Sequence, residues 1–124
     1  MSETLKIIVV LVGLAVLTRV DAGVPIEMRK EVDHLFTYIK ESKCVIERNG
    51  TKHPAVEAVD HIKEKYDYFR DKIKSTEDFI EYSATKSTTS DKPYLVYCEG
   101  QRVVPSKEWL LKELTEYRSR NVRP

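Results

Sequence analysis

Two histidines and a glutamate near the middle of the chain have the types and spacing that come closest to a reactive site. His53, Glu57 and His61 are spaced by four residues, so a helix beginning at His53-Pro54 would place them along one face. Imidazole nitrogens and carboxylate oxygens are ligands of zinc. Eight helical residues span about 12 Å, so the two histidines cannot bind one ion directly. A metal or acid–base site would therefore use one histidine with Glu57 and further residues from elsewhere.

The same residues also have a structural interpretation, which the sequence favours. His53 then caps the helix, Glu57 lies in its first turn where a carboxylate suits the helix dipole, and His61 is half-buried and hydrogen-bonded. The third histidine, His34, is expected on the solvated side of the first helix.

Asn49 and Gly50 form a strong turn signal just before this segment. With Thr51 they also make a glycosylation sequon, which matters only in a host that glycosylates. The candidate functional surface therefore consists of His53, Glu57, His61, Asn49 and Gly50.

Most other catalytic machinery is excluded by the sequence. Beyond the first 22 residues, glycine occurs only at positions 23, 50 and 100, so no glycine-rich loop is present to cradle phosphates. The chain also has no G-x-S-x-G nucleophile motif and no H-E-x-x-H zinc helix. The sequence favours a non-catalytic protein over an enzyme.

The charge balance gives no electrostatic bias toward nucleic acid or an anionic membrane. The chain has 21 Lys and Arg against 20 Asp and Glu, a net charge of +1. A local excess of arginine at the C-terminus is expected to be a solvated end of the chain. It consists of Arg118, Arg120 and Arg123.

The first 22 residues have the pattern of a secretory signal peptide. Lys6 precedes an apolar run of about 11 residues from Ile7 to Leu17, too short for a membrane anchor. Val20 and Ala22 place small residues where signal peptidase cleaves. We expect cleavage near Ala22, one domain over residues 23–124, and a periplasmic or secreted location.

Two cysteines, Cys44 and Cys98, remain in the predicted mature chain. In an oxidising compartment such a pair usually forms a disulfide. A bridge that closes a loop of about 55 residues stabilises the folded domain by roughly 4 kcal/mol. The alternative is a redox-active or nucleophilic thiol, which the absence of a C-x-x-C motif disfavours.

Four segments carry apolar residues at helical spacing. Pro25 is suited to open the first helix and Pro54 the second. A capping box from Ser75 to Asp78 opens a short third helix, and Ser106 is expected to cap the fourth. The residues expected to face inward are Met28, Val32, Leu35, Phe36 and Ile39; Val56, Val59, Ile62, Tyr66 and Phe69; Phe79, Ile80 and Ala84; and Trp109, Leu110, Leu114 and Tyr117.

Short β-prone segments lie between the helices, at Cys44 to Arg48, Tyr94 to Cys98 and Arg102 to Val104. The predicted order is α-β-α-α-β-β-α. It indicates an α+β fold in which a small antiparallel sheet of two or three short strands packs with four helices. The disulfide would tie the first strand to the second.

Tyrosines are a second candidate for a recognition surface, because each offers a rigid apolar ring with a polar tip. Most lie at stripe or strand positions, which favours the core or its edge. The tyrosines considered are Tyr66, Tyr68, Tyr82, Tyr94 and Tyr97. The Ser/Thr-rich stretch from Ser83 to Ser90 is expected to be a helix end and a loop.

Short motifs occur in a fixed order along the chain: Arg48-Asn49-Gly50-x-x-His53, Glu57-Ala58-x-x-His61, Ser75 to Ile80, Lys92-Pro93-Tyr94, and Pro105 followed by Trp109-Leu110 and Leu114. Together they resemble the YfeK-like family of small exported bacterial proteins of unknown function. The resemblance extends from the first helix to Leu114. It implies a bacterial, periplasmic or secreted setting, and it carries over no catalytic residue, substrate or cofactor.

We therefore predict a non-catalytic binding or accessory module of the bacterial cell envelope. Its partner would be an envelope protein or ligand, with no cofactor, no nucleic acid and no stable membrane anchor after cleavage. The alternative is a metal-binding protein or metal-dependent hydrolase that uses His53, Glu57 and His61. A third alternative is an inhibitor or immunity-type protein.

Overall fold

The computed structural model describes residues 25–122, which form four α-helices and four short β-strands. The α+β class and the four helices are confirmed. The helices are α1 (Ile26–Ser42), α2 (Ala55–Tyr68), α3 (Thr76–Ser83) and α4 (Ser106–Arg120), with a 3₁₀ turn at Arg70–Lys72. The strands are β1 (Val45–Arg48), β2 (Thr51–Pro54), β3 (Leu95–Tyr97) and β4 (Val104–Pro105).

The signal peptide predicted for residues 1–22 lies outside the described residues, as does Arg123. Within residues 25–122, no helix has the length and apolar character needed to cross a membrane.

The sheet is antiparallel throughout, in the order β2-β1-β3-β4. Two or three strands were predicted and four are present. The additional strand is β2, which forms because the chain reverses after β1 and pairs with it. Asn49 and Gly50 adopt left-handed backbone angles, with φ of 54° and 85°, as a two-residue hairpin turn requires. His53 and Pro54, expected to begin the second helix, therefore end β2, and α2 begins at Ala55.

The pairing of β1 with β3 carries the predicted disulfide. Val45 lies opposite Tyr97 in this pair. One step beyond, Cys44 and Cys98 are bonded, with their Cα atoms 4.5 Å apart. The predicted crosslink is confirmed, and it joins the two central strands at one end.

The core lies between the helices and the inner face of the sheet. Ile46 on β1 and Val96 on β3 are each 1% exposed, and the helices cover them with completely buried residues such as Leu35, Phe79 and Leu110. Val56, expected to face inward, is exposed instead. The inward face of α2 begins one residue earlier and consists of Ala55, Ala58, Val59, Ile62 and Lys65.

The starts of α3 and α4 differ from each other in how they are capped. The hydroxyl of Ser75 accepts a hydrogen bond from the backbone N–H of Asp78 at 3.0 Å, so the Ser75 half of the predicted capping box is confirmed. The carboxylate of Asp78 instead accepts from the backbone N–H of Lys74 at 2.9 Å. Ser106, expected to cap α4, is its first helical residue and follows Pro105 in the cap position. The reason is that the Ser106 N–H bonds to the carbonyl of Tyr94 at 2.9 Å, which fixes the end of the sheet.

Arg118 and Arg120, the described members of the C-terminal arginine group, are not a solvated end, because both lie within α4 and form ion pairs. Arg118 donates to both oxygens of Glu31 on α1, at 2.8 and 2.9 Å, and to Glu77 on α3. Arg120 pairs with Glu113 at 3.1 Å. Arg118 therefore joins three helices.

His34 is also not simply solvated. Its Nε2 lies 2.6 Å from Oε2 of Glu113, and its ring stacks on Tyr117 with centroids 4.1 Å apart. Because Glu113 is buried, its carboxylate needs such partners, and His34 joins α1 to α4 by supplying one.

Replacing both cysteines by alanine is expected to lower the free energy of unfolding by about 4 kcal/mol, because the crosslink limits the entropy of the unfolded chain. Urea denaturation of the oxidised protein and of the Cys44→Ala/Cys98→Ala variant measures this difference. A loss below about 1 kcal/mol would contradict the assigned role of the crosslink.

Arg118→Gln is expected to lower the free energy of unfolding by about 1 kcal/mol at neutral pH. The guanidinium of Arg118 lowers the pKa of Glu31 and of Glu77 in the folded protein. Their contribution is therefore complete above the unfolded pKa, near 4.5, and is lost as the pH falls through the folded values. Urea denaturation at several pH values should show the variant and the parent converging in acid, whereas the exposed-residue control Arg102→Gln should match the parent throughout.

Candidate functional site

The structure separates the residues of the candidate surface. His53 lies in β2, with its Nδ1 3.4 Å from Oε1 of the exposed Glu57. His61, on α2, instead lies next to Tyr94, with 3.3 Å between its Nε2 and the tyrosine hydroxyl. Within residues 25–122, no three His, Cys, Asp or Glu side chains come together in a way that could hold a metal. The metal hypothesis stays a prediction.

A pocket of about 190 Å³ lies where β1 ends, next to α2 and to the loop between α3 and β3. Two residues of the candidate surface, Asn49 and His61, line it, whereas His53, Glu57 and Gly50 do not. No acidic residue is among the described residues that line the pocket. The lining consists of Arg48, Asn49, His61, Lys65, Ser87, Thr88, Thr89 and Tyr94.

Arg48 brings a guanidinium into the pocket from the last position of β1. Side chains alternate along a strand, so Arg48 shares the inner face with Ile46 and extends beyond the end of the apolar core. Among the described residues, its buried Nε has no hydrogen-bond partner and Arg48 forms no ion pair. A guanidinium is suited to hold a carboxylate or phosphate with two parallel hydrogen bonds.

Lys65 supplies a second positive charge from the inward face of α2. Only 8% of its surface is exposed, and its Nζ donates to the carbonyl of Lys86 at 2.7 Å and to the hydroxyl of Tyr94 at 3.1 Å. Burial, followed by the charges of Arg48 and Lys86, lowers the pKa of Lys65. The ammonium group is therefore fixed in place and lacks a negative partner among the described side chains.

His61 and Tyr94 share the inner wall of the pocket. Burial lowers the pKa of His61, Arg48 and Lys65 lower it further, and Glu64 opposes them. Burial raises the pKa of Tyr94, with Arg48 opposing, so the tyrosine remains a neutral hydroxyl. It can accept from Lys65 and donate to His61 when Nε2 of the histidine is unprotonated.

The loop between α3 and β3 closes the pocket with hydroxyl groups. Its chain reverses through Asp91, whose left-handed φ of 62° is one that aspartate tolerates better than most residues. The hydroxyl of Ser90 donates to Oδ1 of Asn49 at 2.8 Å, which ties the loop to the β1–β2 turn. Ser87 and Thr89 are 3.2 Å apart between their hydroxyl oxygens. The stretch predicted only as a helix end and loop thus forms one wall of the site.

The pocket as a whole offers hydrogen-bond donors and positive charge. Arg48, Lys65 and a protonated His61 would each attract a negatively charged group, and the serine and threonine hydroxyls would bond its oxygens. Sequence reasoning missed Arg48 and Lys65. Each carried a signal, because Arg48 follows Ile46 by two residues on a strand and Lys65 follows Ile62 by three on a helix.

Comparison with protein families gives a match over residues 26–118, which covers all four strands and nearly all of the four helices. Comparison with curated proteins gives no significant match. Comparison with solved structures gives none either. The chain belongs to DUF5329, a family of unknown function.

Proposed function

We propose that this protein is a non-catalytic binding module of the bacterial cell envelope that captures a negatively charged group of its ligand between Arg48, Lys65 and His61. The observation that carries the proposal is the environment of Arg48. Among the described residues its buried Nε has no hydrogen-bond partner, and no carboxylate lines the pocket that it faces. Export, a bacterial origin and the YfeK-like identity rest on the pattern of residues 1–22 and on the motif resemblance.

The energetics of the pocket support binding of an anion. Positive groups withdrawn from water are costly unless a negative group or acceptor faces them. Lys65 has two neutral acceptors and Arg48 lowers its pKa, so the two cations repel each other. An anion between them would replace this repulsion with attraction and supply the acceptor that the Nε of Arg48 lacks.

The hydrogen bonds within the pocket support binding rather than turnover. Lys65 is engaged by the carbonyl of Lys86 and the hydroxyl of Tyr94, and that hydroxyl also contacts His61. Tyr94 is 1% exposed. A general acid or base must reach the reacting atom of a substrate, whereas these groups are engaged with one another and act as a rigid wall.

Sulfate is a suitable probe, because its charge is constant around neutral pH. In an NMR titration at constant ionic strength, we expect saturable shifts for the backbone amides of residues 48–49, 61, 65 and 87–89. Arg48→Gln is expected to weaken sulfate binding by about tenfold, since it removes a charged two-point donor. The exposed Arg29 on α1 offers a matched control, because Arg29→Gln changes the net charge equally outside the pocket. Equal weakening by both substitutions, or no saturable shifts, would contradict the proposal.

Sulfate affinity should rise as the pH is lowered from about 7.5 to about 5, because His61 becomes positively charged as the pH falls through a pKa below the usual 6.5. The same titration repeated along this pH series measures the effect. His61→Gln should remove the pH dependence, and His53→Gln, outside the pocket, should preserve it. A pH dependence that persists in His61→Gln would rule out this role for the histidine.

A further inference from the structure

A second pocket, of about 340 Å³, lies beside the first. Lys65 and Thr88 line both of them. The remaining walls of the second pocket combine aromatic and charged residues, namely Phe69, Glu81, Tyr82, Lys86 and Asp91. A ligand held by its negative group in the first pocket would therefore extend over these residues.

Two of the residues that line the second pocket, Phe69 and Tyr82, are aromatic. The rings of Phe69 and Tyr82 have centroids 5.5 Å apart and are tilted by 35°, and Tyr68 packs edge-on against Phe69 at 4.9 Å. Tyr82 is 36% exposed and Tyr68 80% exposed. Of the five tyrosines considered for a recognition surface, Tyr94 is in the core, and Tyr66 and Tyr97 are half-buried. Adjacent exposed aromatic rings are typical of binding surfaces.

The polar residues that line the second pocket provide both hydrogen-bond donors and acceptors. Asp91 pairs with Lys86 at 3.5 Å, and Glu81 pairs with Lys107 at 2.8 Å. Each carboxylate has more lone pairs than one lysine uses, and the hydroxyl of Thr88 can donate or accept. An apolar ligand would leave these groups without partners, whereas a sugar ring offers hydroxyls on its edge and an apolar face for Tyr82.

We infer that the ligand is a sugar carrying a negatively charged substituent, with the charge between Arg48 and Lys65 and the ring on Phe69 and Tyr82. The inference rests on the proposed anion-binding function and adds the class of ligand. Its geometric basis is that the two pockets are neighbours and share Lys65 and Thr88 as lining residues.

Binding of glucose 6-phosphate, methyl phosphate and glucose, measured by NMR titration of the purified protein at constant pH and ionic strength, tests the inference. Methyl phosphate has the same charged group without the ring, and glucose has the ring without the charge. We expect glucose 6-phosphate to bind about tenfold more tightly than methyl phosphate, with glucose the weakest, because the apolar face of the sugar ring is buried against Phe69 and Tyr82. Glucuronate, run in parallel, distinguishes a carboxylate from a phosphate as the preferred charge.

Two tyrosine variants separate the ring contact from a general effect of mutation. Tyr82→Ala should remove the advantage of glucose 6-phosphate over methyl phosphate, and Tyr97→Ala, at a tyrosine on β3 that lines neither pocket, should keep it. If methyl phosphate binds and neither charged sugar binds more tightly, the sugar inference fails and the anion-binding function stands. If none of the anions gives saturable shifts, both fail.

Discussion

The register between β1 and β3 is the constraint on which both the fold and the pocket depend. At one end of this pair Cys44 faces Cys98, and continuing the pairing by one residue at the other end places Arg48 opposite Tyr94. Because side chains alternate along a strand, a slip of one residue would turn Arg48 to the other face of the sheet and separate the sulfurs. The disulfide therefore holds the strand register that places the guanidinium of Arg48 in the pocket, although the disulfide lies at the opposite end of the two strands.

Charged side chains in the pocket lack the counterions that charged side chains have where the helices meet. Where the helices meet, buried and half-buried charges are matched, since Arg118 binds two carboxylates and the buried Glu113 contacts both His34 and Arg120. In the pocket, Arg48 and Lys65 have no such match among the described residues. Ion pairs between helices stabilise an arrangement of elements, whereas unmatched charge lining a cavity is available to a ligand.

Local patterns predicted the elements more successfully than their ends. The apolar stripes located the four helices, and the cap at Ser75 was confirmed. His53 was placed on a helix because the four-residue spacing and Pro54 fit one, but the Asn49-Gly50 turn returns the chain along β1 and makes a strand of this segment. A hairpin is stabilised by a partner strand, and the sequence of Thr51 to Pro54 alone does not reveal that partner.

The candidate site was predicted only in part. Asn49 and His61 line the pocket, but Arg48 and Lys65, which give it its charge, were not among the residues predicted for a functional site. The sequence by itself determined the apolar stripes, the turn, the pairing of the cysteines and the α+β class, because these follow from short-range spacing and from the chemistry of two thiols. Only the tertiary structure decided which charges meet without a counterion. That depends on distances between β1, α2 and the loop before β3, which are far apart in the chain and are brought together by one strand register.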